Sequence, residues 1–488
     1  MGTFRTISKE VSWSVQQNNK TMAIFFGVLL LILYTAYYFF SNGQVADFRI
    51  VQVLGFVAIV QMAYAIYSWY KVKGVLFDAY VIFTFALYAF NLAQPIVEAL
   101  GISVSFRRLW GGFGISHDDY LHATYYGLAA LMFFHIGALL SLTRTSQSTS
   151  SDVDIASGRR QLEALRKVAT FFVFFSAYFY LRNLVEQIAI VNMYGYAAIY
   201  VMEYTTRTYS IIGAMFPPAL LALFCSSLLL RKNEMLVTAL VFTLLFLPPL
   251  YLGGRSNAMI VAAIFLIIYA SIKKINLRRL VIIAALGIGL LAVMNVVGQT
   301  RNETGRSAES YRLAMDELEN PVTSTLQEMG WSMYPLALSM EAIPAVKDYS
   351  YGASFFWAVV SCIPNLGFWD GTHPGMAHDP GTWLNKYSSE NYGIGYSMTA
   401  GTWNEFGAFG VLLMFIYGWI FCRVFSNVSP HNAIYRPLQF VFAVLFLWYS
   451  IKFIRNSYDS FTRQLVFYML PLYLLTRLIL NNNLSKHQ

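Results

Sequence analysis

Apolar residues fall in long blocks along the chain, separated by shorter polar stretches. Each block matches the length of about 20 residues that a helix needs to cross the ~30 Å hydrocarbon core of a bilayer. Open sheets cannot pair all of their backbone groups in lipid, so we predict an all-α polytopic membrane protein. We place twelve spans, at about 22–40, 51–70, 77–100, 120–142, 168–190, 210–230, 235–252, 256–272, 280–298, 403–425, 435–453 and 464–480.

One long polar segment interrupts this pattern between the ninth and tenth spans. It covers residues 299–402, and its tryptophans include Trp331, Trp369 and Trp383. We therefore predict five regions along the chain. They are a tail with four helices (1–142), a serine-rich inner loop (143–167), helices five to nine (168–298), a large outer loop (299–402), and helices ten to twelve with the C-terminus (403–488).

The positions of lysine and arginine predict the orientation in the membrane. If the N-terminus lies inside, 20 of the 34 basic residues fall in inner segments and 13 in outer ones. Five of those 13 lie in the long segment 299–402, and long loops do not count in the positive-inside rule. Both termini are therefore predicted in the cytoplasm, and segment 299–402 outside. Residues 1–21 lack a small-residue cleavage site, so the first helix is expected to remain as an uncleaved anchor.

Composition supports a membrane protein and argues against a nucleic-acid partner. The chain of 488 residues is 57% hydrophobic and only 12% charged, whereas soluble domains carry about 25% charged residues. The net charge of +9 is spread over short loops and forms no basic stripe with interleaved aromatic residues. We expect no nucleic-acid partner.

Two arginines are candidates for an anion site. Arg182 lies inside the fifth span, where a charge costs ~2.5 kcal/mol or more, so it marks either function or a charge pair. The alternative to a functional role is a structural ion pair with Glu186, which lies four residues further on the same helix face. Arg255 follows Gly253 and Gly254 in the turn between two spans. Glycines allow a tight turn and a close ligand approach, and arginine offers fixed planar donors to phosphate; an ordinary hairpin is the alternative.

Further arginines are predicted at the same outer side. Each by itself is typical of an interface arginine whose charged end reaches toward water. Several on one face favour an anionic partner such as a lipid-linked phosphate. They are Arg301, Arg306, Arg455 and Arg463.

Three residues are candidates for a general base. His373 and His378 lie in a proline-containing part of the polar segment, and imidazole can accept a hydroxyl proton near neutral pH. Solvated loop histidines are the alternative, and a zinc site is weakly supported because a closed ligand set is missing. Glu405 lies at the outer start of the tenth span. Its alternative role is to stabilise the N-terminus of that helix by its negative charge. We predict no metal and no cofactor.

These features together resemble the bacterial O-antigen polymerases of the Wzy type. The resemblance rests on about twelve spans, the Gly253-Gly-Arg-Ser hairpin, arginines after the following span and a long outer loop. It also rests on Tyr351-Gly-Ala-Ser, Ile363-Pro, and the run from Gly395-Tyr-Ser to Trp403-Asn-Glu-Phe-Gly407. The match is best over residues 245–425. The family's asparagine-phenylalanine-glycine order is interrupted here by Glu405.

The resemblance implies a metal-independent glycosyltransferase of the GT-C type on the periplasmic side of the inner membrane. It would join undecaprenyl-pyrophosphate-linked oligosaccharide repeat units, and a chain-length regulator is a further expected partner. Arg182, Arg255 and Arg301 would stabilise the pyrophosphate, with His378 or Glu405 as base. The expected substrate-binding residues are Arg306, Arg455, Arg463, His373, Trp383 and Tyr396.

Two other functions remain open from the sequence. An O-antigen ligase shares the architecture and differs in its acceptor, the lipid A core. A flippase or other transporter also has about twelve spans, but it predicts repeat symmetry and charges near the middle of the membrane. The polar residues of this chain are concentrated at one outer face instead.

Overall fold

The computed structural model describes most of the chain. The described residues are 13–43, 47–102, 115–142, 155–196, 198–201, 211–272, 277–301, 307–316, 320–363, 369, 373–388 and 394–485. Arg306 lies outside the described residues, and only the backbone of Arg255 is described. All regular secondary structure in the described ranges is helical. The predicted all-α polytopic fold is confirmed.

The first half of the described chain consists mostly of apolar helices of different lengths. In chain order they are α1 (Trp13–Ser41), α2 (Asp47–Lys73), α3 (Ala79–Asn91), α4 (Ala93–Ala99), α5 (His117–Ser141), α6 (Ile155–Tyr194), α7 (Ala198–Val201), α8 (Phe216–Leu230), α9 (Glu234–Val241), α10 (Leu247–Leu252), α11 (Arg255–Ile272) and α12 (Leu277–Thr300).

Short helices form the polar segment, and longer ones follow it. They are α13 (Ala308–Asp316), α14 (Pro321–Gly330), α15 (Tyr334–Ala342), α16 (Ala353–Val360), α17 (Pro374–Ala377), α18 (Pro380–Tyr387), α19 (Met398–Phe406), α20 (Val411–Phe425), α21 (Pro430–Tyr435), α22 (Pro437–Phe453), α23 (Tyr458–Gln464) and α24 (Leu470–Ser485). Two 3₁₀ turns, Trp331–Met333 and Gly407–Gly410, and two π-helical segments, Phe242–Phe246 and Leu465–Met469, connect consecutive helices.

Nine of the described helical stretches are long and apolar enough to cross a membrane. A tenth candidate is the pair α3 and α4, which is bent by 74°. Two shorter apolar helices, Ser256–Ser271 and Pro437–Phe453, lie where the eighth and eleventh spans were placed. The count of twelve spans stays a prediction. One boundary differs, because α6 begins at Ile155, so residues 155–167 of the predicted inner loop are helical.

The outer side is defined here as the side of the membrane on which segment 299–402 lies. Three contacts place other helix ends there. The Tyr196 amide, just after α6, donates to the carbonyl of Arg301 at 3.0 Å. The Met398 amide at the start of α19 donates to the carbonyl of Ile454, after α22, at 3.1 Å. Thr399 also donates to Asn91 at the end of α3, at 2.7 Å.

Prolines account for the π-helical segment in the seventh span. Pro248 and Pro249 lack amide protons, so the carbonyls one turn earlier lose their helical partners, and the π-helical segment Phe242–Phe246 precedes them. The carbonyl of Leu244, four residues before Pro248, accepts a hydrogen bond from the Tyr180 hydroxyl of α6 at 2.5 Å. A neighbouring helix thus satisfies a backbone group that has no water available in lipid.

The helices α5 and α20 cross with their backbones in contact. A Cβ atom added to Gly137 would lie 2.0 Å from the Phe415 carbonyl oxygen, and one added to Gly418 would lie 2.0 Å from the Phe134 carbonyl oxygen. Small residues allow such close approach in membranes, where packing replaces the hydrophobic effect. This crossing holds the first helical group against the helix that follows the polar segment.

We expect Gly418→Ala to destabilise the protein by about 1–3 kcal/mol, because the added methyl group overpacks the crossing. The measurement is the thermal melting temperature of the purified protein in detergent. Gly289→Ala is the matched control, since nothing lies within 4 Å of its added Cβ. Equal melting temperatures for the two variants would contradict the proposed crossing.

Candidate functional site

Arg301, directly after α12, joins three elements at the outer side. Its carbonyl accepts the Tyr196 amide hydrogen bond, and its guanidinium lies 5.3 Å from the centre of the Tyr196 ring. Its Nη1 lies 3.3 Å from Oε1 of Glu328 on α14, and the Arg301 side chain remains 32% exposed. The arginine is therefore oriented by an aromatic face and a carboxylate while a part of it stays accessible to a ligand.

The predicted turn before Arg255 packs directly on Arg301. Gly253 has a φ of +96°, and an added Cβ would lie 3.0 Å from the Arg301 Cβ and 3.4 Å from the Tyr196 ring. Both the backbone angle and the lack of space require glycine there. Arg255 is the second residue after Gly253 and begins α11, so its backbone follows closely on this contact with Arg301. We call Tyr196, Gly253, Arg255, Arg301 and Glu328 the outer arginine cluster.

Arg182 lies on α6, twelve residues before the end of that helix at Tyr194. At 1.5 Å per residue this is about 18 Å of helix. Its side chain is exposed on the helix surface. Contact between Arg182 and Arg255 stays a prediction, as does the alternative pairing with Glu186.

The two arginines near the last outer turn have different surroundings. The Arg455 guanidinium lies 5.3 Å from the centre of the Phe90 ring on α3. The Arg463 Nη1 lies 3.5 Å from Oδ2 of Asp459, one helical turn earlier. Arg455 thus lies over an aromatic ring at the outer end of the bundle, whereas Arg463 has an acidic partner on its own helix.

Glu405 on α19 anchors the turn before α16. The carboxylate is fully buried, at 0% exposure. One oxygen accepts the Gly352 amide at 2.6 Å, and the other accepts the Asn404 side-chain amide at 3.2 Å. The Glu405 carbonyl accepts the Tyr351 amide at 3.0 Å. Tyr351 and Gly352 both have positive φ, at 46° and 91°, so the inserted glutamate stabilises a turn of uncommon geometry.

A lysine that the sequence analysis did not select lies beside this carboxylate. Lys347 donates to the side-chain oxygen of Asn404 at 3.2 Å, and its ammonium lies 4.8 Å from the centre of the Trp383 ring. Burial lowers the pKa of Lys347, while the negative charges of Glu405 and Asp379 act in the opposite direction. Its partners lie 32 to 58 residues further along the chain, so no local motif points to it.

Tyr396 packs into the same region, which we call the Lys347 cluster: Lys347, Asp379, Tyr396, Asn404 and Glu405. Tyr396 is 5% exposed. Burial raises the pKa of its hydroxyl well above the usual value, and the charges of Asp379 and Glu405 raise it further. The hydroxyl therefore remains protonated and neutral near physiological pH.

The two histidines of the polar segment have different environments. The Nδ1 atom of His373 accepts the Gly375 amide at 3.0 Å, and its Nε2 donates to the Ile363 carbonyl at 2.8 Å. Both ring nitrogens are thus occupied: Nδ1 caps the start of α17, and Nε2 links it to the chain that follows α16. His378 has an exposed ring that stacks on Trp357, with 4.2 Å between the ring centres. Of the two histidines, His378 is the one available to a ligand.

Aromatic side chains near these groups offer flat apolar surfaces. Trp383 stacks on Tyr387 with 5.6 Å between ring centres and an angle of 11°. The Tyr387 hydroxyl donates to Glu341 at 3.1 Å. Among the described residues, no group of three or more histidines, cysteines or acidic residues could hold a metal ion. The chemistry that the described groups offer is anion binding, proton transfer and aromatic stacking.

The fold defines a polytopic membrane protein whose polar segment carries cationic and aromatic groups close to the ends of its helices. The sequence pattern of the O-antigen polysaccharide polymerase Wzy family matches residues 22–487, nearly the whole chain. The chain therefore belongs to this family and acts as a polymerase in O-antigen synthesis. Neither the curated proteins nor the solved structures gave a significant match.

We expect Glu405→Ala to lower the melting temperature, because it leaves the half-buried Gly352 amide without its charged acceptor, at a cost of about 1–3 kcal/mol. Thermal melting in detergent measures this. Glu309→Ala is the matched control, since Glu309 is exposed on α13. If both variants melt as the wild type does, Glu405 is not the anchor of this turn.

Proposed function

We propose that this polymerase joins undecaprenyl-pyrophosphate-linked oligosaccharide repeat units on the periplasmic face of the bacterial inner membrane. The observation that carries the proposal is the outer arginine cluster, in which Arg301 packs on the turn that precedes Arg255. Planar guanidinium groups suit the oxygens of a pyrophosphate. Both termini would lie in the cytoplasm, as the distribution of basic residues predicts.

The proposed reaction is a direct glycosyl transfer. A hydroxyl oxygen of one repeat unit attacks the anomeric carbon of the chain on the other lipid carrier. The bond from that carbon to the pyrophosphate oxygen breaks, and its electron pair leaves with the pyrophosphate. Arg255 and Arg301 stabilise this charge electrostatically, and Arg182, Arg306, Arg455 and Arg463 remain candidates for binding the same group. No metal or cofactor is required in this scheme.

The hydroxyl proton passes to a general base in this scheme. His378 is favoured because its ring is exposed, whereas Glu405 is fully buried and both of its oxygens accept hydrogen bonds. Trp383 and Tyr396 are proposed to contact sugar rings; the exposure of Trp383 suits this more than the burial of Tyr396 does. His373 would act indirectly, by holding the start of α17. A chain-length regulator stays a predicted partner.

We expect Arg301→Ala to reduce the rate of elongation about 10²- to 10³-fold, because one stabilising donor to the leaving group is lost. The assay supplies the purified protein with lipid-pyrophosphate-linked repeat units and follows product length on a gel. Arg312→Ala is the matched control, since Arg312 lies on α13 in the same polar segment and its side chain is 84% exposed. Arg255→Ala should behave like Arg301→Ala, and EDTA should have no effect.

A folded wild-type protein that elongates nothing from its native repeat unit would contradict the proposed polymerisation. Transfer to lipid A core in a parallel assay would then indicate a ligase, and movement of the lipid-linked glycan across vesicles would indicate a flippase. Loss of activity in EDTA, restored by a divalent cation, would contradict the metal-independent mechanism. An elongation rate in Arg301→Ala equal to that of the wild type would show that the outer arginine cluster takes no part in the reaction.

His378→Ala is expected to lower the elongation rate about 10²- to 10⁴-fold, because the group that accepts the hydroxyl proton is lost. The measurement is the elongation rate at saturating substrate. His431→Ala is the control, since this exposed histidine lies on α21. An elongation rate in His378→Ala equal to that of the wild type would exclude His378 as the base.

A further inference from the structure

A large apolar groove lies along the membrane-spanning part of the protein, below the outer arginine cluster. Its volume is about 1540 Å³, and its walls come mainly from α3, α11 and α12. Several lining side chains are also exposed at the protein surface, among them Phe85 (49%), Leu286 (69%) and Met235 (87%). The groove is therefore open sideways toward the lipid.

The groove is long and apolar over most of its length. Along α11 it is lined from Ser256 to Tyr269, thirteen residues apart, or about 20 Å of helix. That is roughly two-thirds of the ~30 Å hydrocarbon core. The charged lining residues Glu234 and Arg279 belong to the inner ends of α9 and α12. The shape suits an extended hydrocarbon chain that lies parallel to the helices.

The outer end of the groove adjoins residues already assigned to anion binding. Ser256 follows Arg255 in the chain, and Met329 follows Glu328, the acidic partner of Arg301. Phe90 lines the groove, and the Arg455 guanidinium lies 5.3 Å from the centre of the Phe90 ring. A molecule with a charged head at the arginines would thus have its apolar tail directed into the groove.

We propose that this groove binds the polyprenyl tail of the lipid-pyrophosphate-linked substrate. The inference rests on the proposed function, which supplies a pyrophosphate at the arginines. Burial of each methylene group of the tail away from water is favourable in free solution, but a lipid tail is already in hydrocarbon, so the groove contributes mainly packing and orientation. Its role is to hold the tail so that the anomeric carbon is presented beside Arg301.

Two glycines of α12 provide a matched pair of variants. Gly287 lines the groove, and nothing lies within 4 Å of a Cβ added there. Gly289 has equally open space around its Cβ position, but it is not part of the groove lining. Residues two apart on a helix point in different directions. Gly287→Trp would therefore fill the groove. Gly289→Trp adds the same side chain outside the groove.

The experiment compares Gly287→Trp and Gly289→Trp with two substrates that carry the same glycan pyrophosphate. One substrate has an undecaprenyl tail, and the other has a tail of two isoprene units, too short to reach from the outer cluster to Gly287. With the long tail, Gly287→Trp should raise KM about tenfold, because the tail loses its packing contacts and its fixed orientation in the groove. With the short tail its KM should equal that of Gly289→Trp.

The outcomes separate this inference from the proposed function. If the wild type elongates neither substrate, the proposed function fails. If the wild type elongates the long-tailed substrate and the two variants share one KM for it, the groove is not the tail site. A photoreactive group on the third isoprene unit from the pyrophosphate of undecaprenyl pyrophosphate should label α11 or α12. Equal displacement of this label by bilayer phospholipid and by unlabelled undecaprenyl pyrophosphate would overturn the assignment.

Discussion

The absence of water from the hydrocarbon core is the constraint on which the rest of this structure depends. Every backbone polar group there must be paired inside the protein, and helices achieve this within one segment. Where Pro248 breaks the pattern, the Tyr180 hydroxyl of α6 satisfies the Leu244 carbonyl. The same constraint keeps the α5 and α20 backbones in contact through Gly137 and Gly418, since packing rather than hydrophobic burial holds helices together in lipid.

This helical frame places the polar chemistry at one side. Arg301 continues directly from α12 and is oriented by Tyr196 and Glu328, so its position is determined by the ends of rigid helices rather than by a free loop. Precise placement of charge is what electrostatic stabilisation of a leaving group requires. The apolar groove begins beside the same residues, so a lipid-linked substrate bound as proposed would have one continuous surface for its head and its tail.

The Lys347 cluster shows how the polar segment itself is held. Glu405 comes from the start of a membrane helix and accepts hydrogen bonds from the turn before α16. Lys347 contacts Asn404 and lies over the Trp383 ring. Buried charges are tolerated when they are paired and hydrogen-bonded, so this network fixes the aromatic surfaces of the segment relative to the membrane helices.

The sequence by itself determined the helical membrane architecture, because the length and apolarity of a span are properties of consecutive residues. It also indicated Arg255 and Arg301 through the glycine turn and the outer position. Only the tertiary structure decided which residues meet. The contacts of Lys347 and Glu405 depend on partners far away in the chain. The groove likewise needs α3 to lie against α11 and α12, which are far from it in the sequence. Spatial proximity between distant segments leaves no local pattern.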